Sequence, residues 1–362
     1  MKILHVLTSP RAEGTPRLVL DWLTIKEHEQ YVLFLNSNPP DLLPLFTTAT
    51  TNINITDTYH PSYLKKCWAI TSAVYKTSSK IRPQLVISWN QGYSHWIILG
   101  ARLAGVQRNM VHGGCEPIYN NLRSKLYNYY VHWPLYIMGA KLVCASAFIQ
   151  NKFKQIPLLP ASNIFFAPNC FQPQRFIFPL QANQQREPIA IMVANLEPGK
   201  NHMALLRAWK LVLKEIPEAK LWLVGRGTMR TTLEDFCRNN GLENSVVFWG
   251  ERRDVPQLLW KARIFVFSSL SEGFGTVLLE ALAAGLRIVS SDIPACREVL
   301  QNGQFGTLVE VTNTQLFAEK ITENLKIGNL SDIEWQKAIE YVNNFSPATM
   351  VKRYLDIAFD RS

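Results

Sequence analysis

Ser268-Ser-Leu-Ser-Glu272-Gly273-Phe274-Gly275-Thr276-Val277-Leu-Leu-Glu280-Ala-Leu-Ala-Ala-Gly285 is the stretch that decides the fold. Just before it, Arg263-Ile-Phe-Val-Phe-Ser-Ser269 is a short apolar run, long enough for a buried parallel strand. Just after the glycines, Val277-Leu-Leu-Glu-Ala-Leu-Ala-Ala is a strong helix former that stops at Gly285. The glycine turn therefore joins the carboxyl end of a strand to the amino end of a helix, the edge at which open α/β sheets bind ligands. Free amides at such an edge suit a phosphate, and glycines let it approach closely. Glu272 lies on the loop and Glu280 about one helical turn into the helix. A carboxylate only accepts hydrogen bonds, so beside an anionic diphosphate the two acids hold hydroxyls rather than charge. The stretch describes a site for a phosphate-linked polyol. An ordinary βα turn with two surface glutamates has the same spacing.

Around this stretch, 362 residues are too many for one ordinary core and indicate two domains. A hydrophobic fraction of 47% with 18% charged residues excludes a disordered chain. No apolar run approaches the ~18–20 residues of a membrane span. Met1-Lys-Ile-Leu-His-Val-Leu turns polar too soon for a signal peptide and reads as a first buried strand. Cys67, Cys115, Cys144, Cys170, Cys237 and Cys296 are scattered, without metal spacing, as expected of reduced thiols in a cytoplasmic protein.

Charge is uneven. Residues 1–170 hold 16 Lys+Arg against 7 Asp+Glu, or +9, and residues 171–362 hold 22 against 21, or +1; together these give the net +10. A basic first half points to an acidic partner such as anionic lipid, a phosphorylated acceptor or nucleic acid, although a solvated basic surface has the same count. No recognisable nucleic-acid module accompanies the charge. Between Asn121 and Tyr136, Arg123, Lys125 and His132 interleave with Tyr127, Tyr129, Tyr130, Trp133 and Tyr136. That mixture suits a membrane interface or base stacking, yet a helix with its aromatics turned to its own core is the plainer expectation.

Read in order, strands are expected at Lys2–Leu7, at 31–35, at 82–89 and at 109–114, with helices between them. Residues 36–60, rich in Asn, Thr and Pro, read as loop. Gly14 falls in the turn after the first strand, and His112 ends a strand beside Gly113 and Gly114, on the ligand edge of its sheet. Residues 171–188, rich in Gln and Pro, read as a linker. From Ile189 strand and helix alternate again as a second doubly wound domain, and Ser346-Pro347 opens a last helix.

Laid out in this way, the chain resembles the retaining nucleotide-sugar glycosyltransferases of family 4, which have the GT-B fold. The family's Glu-x7-Glu element is matched by Glu272 and Glu280. Its phosphate segment is similar to Ala194-Asn195-Leu-Glu-Pro-Gly-Lys200-Asn-His202, its next glycine turn to Gly225-Arg-Gly227, and its base-lining segment to Val247-Phe248-Trp249-Gly250. The resemblance implies an α/β protein of two Rossmann-like domains facing across a cleft. They would be an acceptor domain over 1–175 and a donor domain over 186–345, with a helix over 346–362 crossing back to the first. It also implies transfer of a hexosyl group from a nucleotide sugar, taken as a UDP-sugar, but says least about the acceptor. The basic first half and the stretch at 121–136 favour a saccharide or lipid-linked acceptor of cell-envelope synthesis, for a cytoplasmic protein at the inner face of the plasma membrane. No metal and no other cofactor is expected, since the nucleotide sugar is itself a substrate. Lys200 and the amides of residues 273–277 are assigned to the diphosphate, Glu280 to the ribose, and Glu272 and His112 to hydroxyls of the donor sugar. Gly14, Asn195, Gly225, Phe248, Trp249, Gly250, Phe274, Gly275, Thr276 and Val277 complete the expected donor site. Three departures stand out: Asn195 where the family often has arginine, a single Gly14 preceded by Glu13, and Cys170 after Pro168-Asn169. The alternative they leave open is a non-catalytic subunit that binds a sugar nucleotide for a partner enzyme.

Overall fold

Strand and helix alternate almost from the first residue in the computed structural model, which describes residues 1–11, 14–117, 121–177 and 186–360. The chain divides into two units, Met1–Phe171 with Ser346–Ser362, and Gln172–Phe345. The first unit opens with β1 (Lys2–Leu7), α1 (Gly14–Trp22), β2 (Glu29–Phe34), α2 (Leu43–Ala49) and β3 (Ile53–Ile55). There follow α3 (Tyr63–Ile81), β4 (Leu85–Ser88), α4 (Ser94–Leu103) and β5 (Arg108–Gly113). It continues through α5 (Leu122–Ile137), β6 (Lys141–Cys144), α6 (Ala147–Lys154) and β7 (Ile164–Phe166). These strands form one parallel sheet in the order β3-β2-β1-β4-β5-β6-β7.

The second unit repeats the plan with β8 (Ile189–Val193), α7 (His202–Glu215), β9 (Lys220–Val224), α8 (Arg230–Asn239) and β10 (Val246–Gly250). It runs on through α9 (Val255–Lys261), β11 (Ile264–Phe267), α10 (Thr276–Ala283), β12 (Arg287–Ser291) and α11 (Pro294–Val299). It ends with β13 (Thr307–Val309), α12 (Thr314–Ile327) and α13 (Asp332–Val342). Its parallel order is β10-β9-β8-β11-β12-β13. The central runs explain the parallel pairing. Every residue of Leu-Val-Ile-Ser in β4 and of Ile-Phe-Val-Phe in β11 is buried, as it must be when helices cover both faces of a sheet. Strand order reverses between β1 and β4 in one sheet and between β8 and β11 in the other, which marks where each sheet offers a crevice.

The last helix, α14 (Pro347–Ala358), belongs to the first unit. Ser346 caps it by accepting from the Thr349 amide, and Met350, Val351, Tyr354 and Ala358 form its buried stripe. Their spacing follows one helical face. Tyr354 meets Trp22 of α1 edge-on, with ring centroids 5.1 Å apart.

Two expectations change. Residues 36–60 are not simply loop: they hold α2 and β3. Phe46, the only buried residue of α2, packs edge-on against Phe34 at 5.0 Å. One such burial contributes about 1.5–3 kcal/mol, enough to anchor a short helix that its polar composition conceals. Helix α5 also does not turn its aromatics inward. Asn128, Val131, His132 and Leu135 are buried, whereas Tyr127, Tyr130 and Tyr136 are exposed. His132 is held inside by Phe153, which it meets edge-on at 4.9 Å.

Burial also neutralises histidines. His5, His95, His112, His132 and His202 each have a pKa lowered to about 4 by desolvation. In the unfolded chain these rings return to about 6.5, so between those values the unfolded state binds more protons and acid favours it. Their contribution is complete above about pH 6.5 and is lost as pH falls towards 4. The melting temperature should therefore decline steadily from pH 7 to pH 5, before carboxylates titrate. A flat profile over that interval, measured by calorimetry, would contradict the buried neutral rings.

Candidate functional site

Three loops at the carboxyl edge of the second sheet build the site. The loop after β8 is bonded on both sides. Towards β9, the Ala194 amide donates to Val224 O at 3.0 Å, Leu196 N to Arg226 O at 2.9 Å, and Met229 N to Leu196 O at 2.9 Å. The carboxylate of Glu197 accepts from the Thr228 amide at 3.0 Å and from its hydroxyl at 2.7 Å. Towards β11, Leu270 N donates to Gly199 O and the Ser268 hydroxyl to Lys200 O, both at 2.9 Å.

Close approach on the β9 side requires glycine. A Cβ on Gly225, whose φ is +147°, would lie 2.0 Å from Ala194 O, and one on Gly227 would lie 2.3 Å from Leu196 O. These glycines let backbone meet backbone. On the β11 side the contact is ionic: Lys200 Nζ stands 2.5 Å from Glu272 Oε1, with side-chain exposures of 27% and 12%. The pair thus spans the point where strand order reverses, between β8 and β11. Lys200 keeps ammonium donors beyond the one used by Glu272, and Glu272 keeps its second oxygen.

Gly275, at φ +87°, is the left-handed N-cap of α10 and makes no side-chain cap hydrogen bond. The opening amides of α10, at Thr276 and Val277, are therefore left for another partner, and the helix dipole favours an anion there. Glu280, the fifth residue of α10, is half-buried. The expected donor residues divide. Asn195 is exposed, while Phe248, Trp249, Gly250, Gly273, Thr276 and Val277 are half-buried. The Trp249 ring meets Trp222 edge-on at 5.2 Å and lies 5.2 Å from the Arg252 guanidinium. The Phe274 side chain is 3% exposed and packs against Phe345, so only its backbone faces the turn, in keeping with the amide role expected of it.

In the first unit, Gly14 is the exposed first residue of α1, and a Cβ there would meet nothing within 4 Å. Glycine is not sterically required at that position. Glu13 lies outside the described residues. His112 sits at the carboxyl end of β5, 3% exposed, with Nδ1 2.8 Å from the Tyr354 hydroxyl. Trp89 lies against it with centroids 4.9 Å apart, and a Cβ on Gly114 would come within 3.1 Å of Nε2. The lack of a side chain at Gly114 leaves space beside that nitrogen. Tyr354 and Trp89 went unnoticed in the sequence, because Tyr354 is 242 residues from His112. The only signal was a polar-tipped ring on the apolar stripe of the last helix. Among the described residues no three of His, Cys, Asp or Glu are grouped to hold a metal ion.

Comparison with known proteins bears on the fold that carries this site. The family described as Glycosyl transferases group 1 matches residues 174–341. N-acetyl-alpha-D-glucosaminyl L-malate synthase of Bacillus anthracis is 31% identical over 177 residues, which cover 49% of this chain and 46% of that one. In that match the chain spans about half the length of its relative. The UDP-Gal:alpha-D-GlcNAc-diphosphoundecaprenol alpha-1,3-galactosyltransferase of Escherichia coli is 25% identical over 389 residues, covering 99% of this chain and 97% of the other. Among solved structures, Anabaena HepE in complex with UDP and glucose superposes with a TM-score of 0.81 at 18% identity, covering 98% of both chains. Glycosyltransferases of the GT-B fold thus share both α/β units, and residues 174–341, a little under half of the chain, match the glycosyl transferases group 1 family.

Proposed function

We propose that this protein is a retaining hexosyltransferase that moves a sugar from a UDP-sugar to a saccharide or lipid-linked acceptor of cell-envelope synthesis. One observation carries the reading: Lys200 and Glu272 are joined at the switch point of the second sheet, Glu272 lying on the loop that leads into the uncapped start of α10. The diphosphate takes the remaining donors of Lys200 and the amides of Thr276 and Val277. Breaking the sugar–phosphate bond builds negative charge on the departing phosphate, and donors fixed before the reaction stabilise that charge without reorganising. Glu280 holds the ribose hydroxyls, and Glu272 a hydroxyl of the sugar. The neutral imidazole of His112 bonds another sugar hydroxyl without placing a positive charge beside a carbon that becomes positive. The acceptor attacks from the face the phosphate leaves, its hydroxyl proton passes to a phosphate oxygen, and configuration is retained with no separate nucleophile. Uridine is favoured because the Escherichia coli relative is named for UDP-Gal and HepE holds UDP.

The first unit supports a lipid-linked acceptor at an anionic membrane face. No helix among the described residues is long and apolar enough to cross a membrane. Instead, α3 exposes Leu64, Trp68 and Tyr75 along one side, and α5 exposes Leu126, Tyr127 and Tyr130. Lys65, Lys76, Arg123 and Lys125 are exposed among them. Apolar and aromatic side chains with a basic surround match a headgroup layer. The two helices meet where the Tyr63 and Tyr130 hydroxyls lie 3.4 Å apart.

Lys200→Ala and Glu280→Ala are each expected to lower sugar transfer at least about tenfold, ~1.4 kcal/mol. Near-normal rates for both would remove the site assignment. UDP at about a hundred times its Kd should add about 2.7 kcal/mol of stability, and an equal thermal shift with GDP and ADP would remove the preference for uridine. Sugar release from UDP-sugar in water separates an enzyme from a binding subunit, which would bind without releasing it. The protein should sediment with anionic vesicles, and each of Lys65→Glu and Lys76→Glu should weaken that by about 1 kcal/mol or more. Absence of sedimentation at low salt would dismiss the membrane face.

A further inference from the structure

A buried chain of polar and aromatic groups in the first unit leads to His112. Gln30 donates from Nε2 to the Ile25 carbonyl, so its Oε1 accepts from His5 Nε2 at 3.2 Å. The other nitrogen of His5 accepts from the Trp89 indole at 3.1 Å, since an indole can only donate. Trp89 is fixed by that bond. Its ring lies 4.9 Å from His112 and 5.9 Å, stacked, from Tyr354. Tyr354 is fully buried, and the one hydrogen bond described for its hydroxyl is to His112 Nδ1, at 2.8 Å. A buried hydroxyl proton is costly to leave without an acceptor, so the proton points at Nδ1. A neutral ring that accepts at Nδ1 carries its own proton on Nε2.

We propose that Tyr354 is a positioning residue that holds His112 as its Nε2–H tautomer, so that Nε2 donates to an oxygen of the donor sugar. Trp89 fixes the face of the ring and Tyr354 its rotation, so the outward nitrogen is aimed before any substrate arrives. That nitrogen lies beside Gly114, in space a side chain there would fill. The last helix therefore contributes to turnover through one hydroxyl. The inference rests on the reading of His112 as a contact of the donor sugar, and the experiment separates the two.

Tyr354→Phe keeps the ring that fills the core and removes only the oxygen. It should lower kcat at least about fivefold, with the donor KM changed less than about twofold. His112→Ala should lower kcat further, and Tyr354→Phe added to His112→Ala should cost nothing more, because the hydroxyl acts only through the imidazole. A role in folding alone would instead lower the melting temperature and reduce the rate equally in both backgrounds, which would overturn the proposal. Full activity of Tyr354→Phe beside an impaired His112→Ala would overturn it as well, leaving the His112 assignment intact. A near-normal His112→Ala would remove that assignment, and this proposal with it. Nitrogen-15 NMR of the unmodified protein reads the tautomer without any variant. A proton on Nε2 is expected, and a proton on Nδ1 refutes the arrangement.

Discussion

The contact between Lys200 and Glu272 is what the ligand edge of the second unit depends on. It joins the loop after β8 to the loop after β11, the two loops that diverge where strand order reverses. Neither side chain stands free in water, and a half-desolvated charge is stable in such a place only when it is paired. Each charge therefore requires the other loop to be in position. The hydrogen bonds from Ser268 and Leu270 to the same turn repeat the constraint through the backbone. On the opposite side the glycine approach at 225 and 227 clamps the loop against the end of β9. A loop pinned from both sides presents Lys200 in one orientation, which is what preorganised charge stabilisation requires.

How much of this was legible in the sequence follows the range of the interactions. The strands around the site could be read because continuous apolar runs, four or five residues long, leave little else to be. Helix α10 was legible from its alanine- and leucine-rich body and its stop at Gly285. Helix α2 was not: it has one buried side chain, Phe46, and that ring's partner on β2 lies outside any local window. The outward tyrosines of α5 were misjudged for a related reason. His132 occupies the buried face where α6 offers it the Phe153 ring, while Tyr130 keeps an edge contact with His95 of α4, and a pattern of residue types cannot supply that. Candidate site residues were found where motif and turn coincide, as at Gly225, Glu272 and Gly275. Phe274, between two of these, faces the core, since a side chain's direction inside a loop is set by tertiary packing.

His112 shows the same limit more sharply. Its position at a strand end beside two glycines was visible, but its state was not. Burial among Trp89, Tyr354 and the carboxyl end of β5 keeps its pKa at about 4, so the ring is neutral at any pH near 7. The partners that impose this come from the residue after β4 and from the last helix of the chain. A residue recognised from three neighbouring letters thus receives its chemistry from elements 23 and 242 residues away.

On the proposed reading, an acid beside the only lysine of the loop follows from the reaction. A nucleoside diphosphate is both part of the substrate and the whole leaving group. Two cations at this position would hold it as tightly after the reaction as during it, and binding of that uniform kind adds nothing to turnover. With Glu272 sharing Lys200, and Asn195 adding no charge, the side chains at the diphosphate end of the site balance. Attraction for the phosphates then comes from the spare donors of one ammonium and from the opening amides of α10, worth roughly half a positive charge. That field is strongest where charge develops on the departing oxygen and weaker over the rest of the nucleotide. The acid that moderates the lysine also accepts from the sugar's hydroxyls, so one ion pair both aligns the group to be moved and limits how firmly the spent diphosphate is retained.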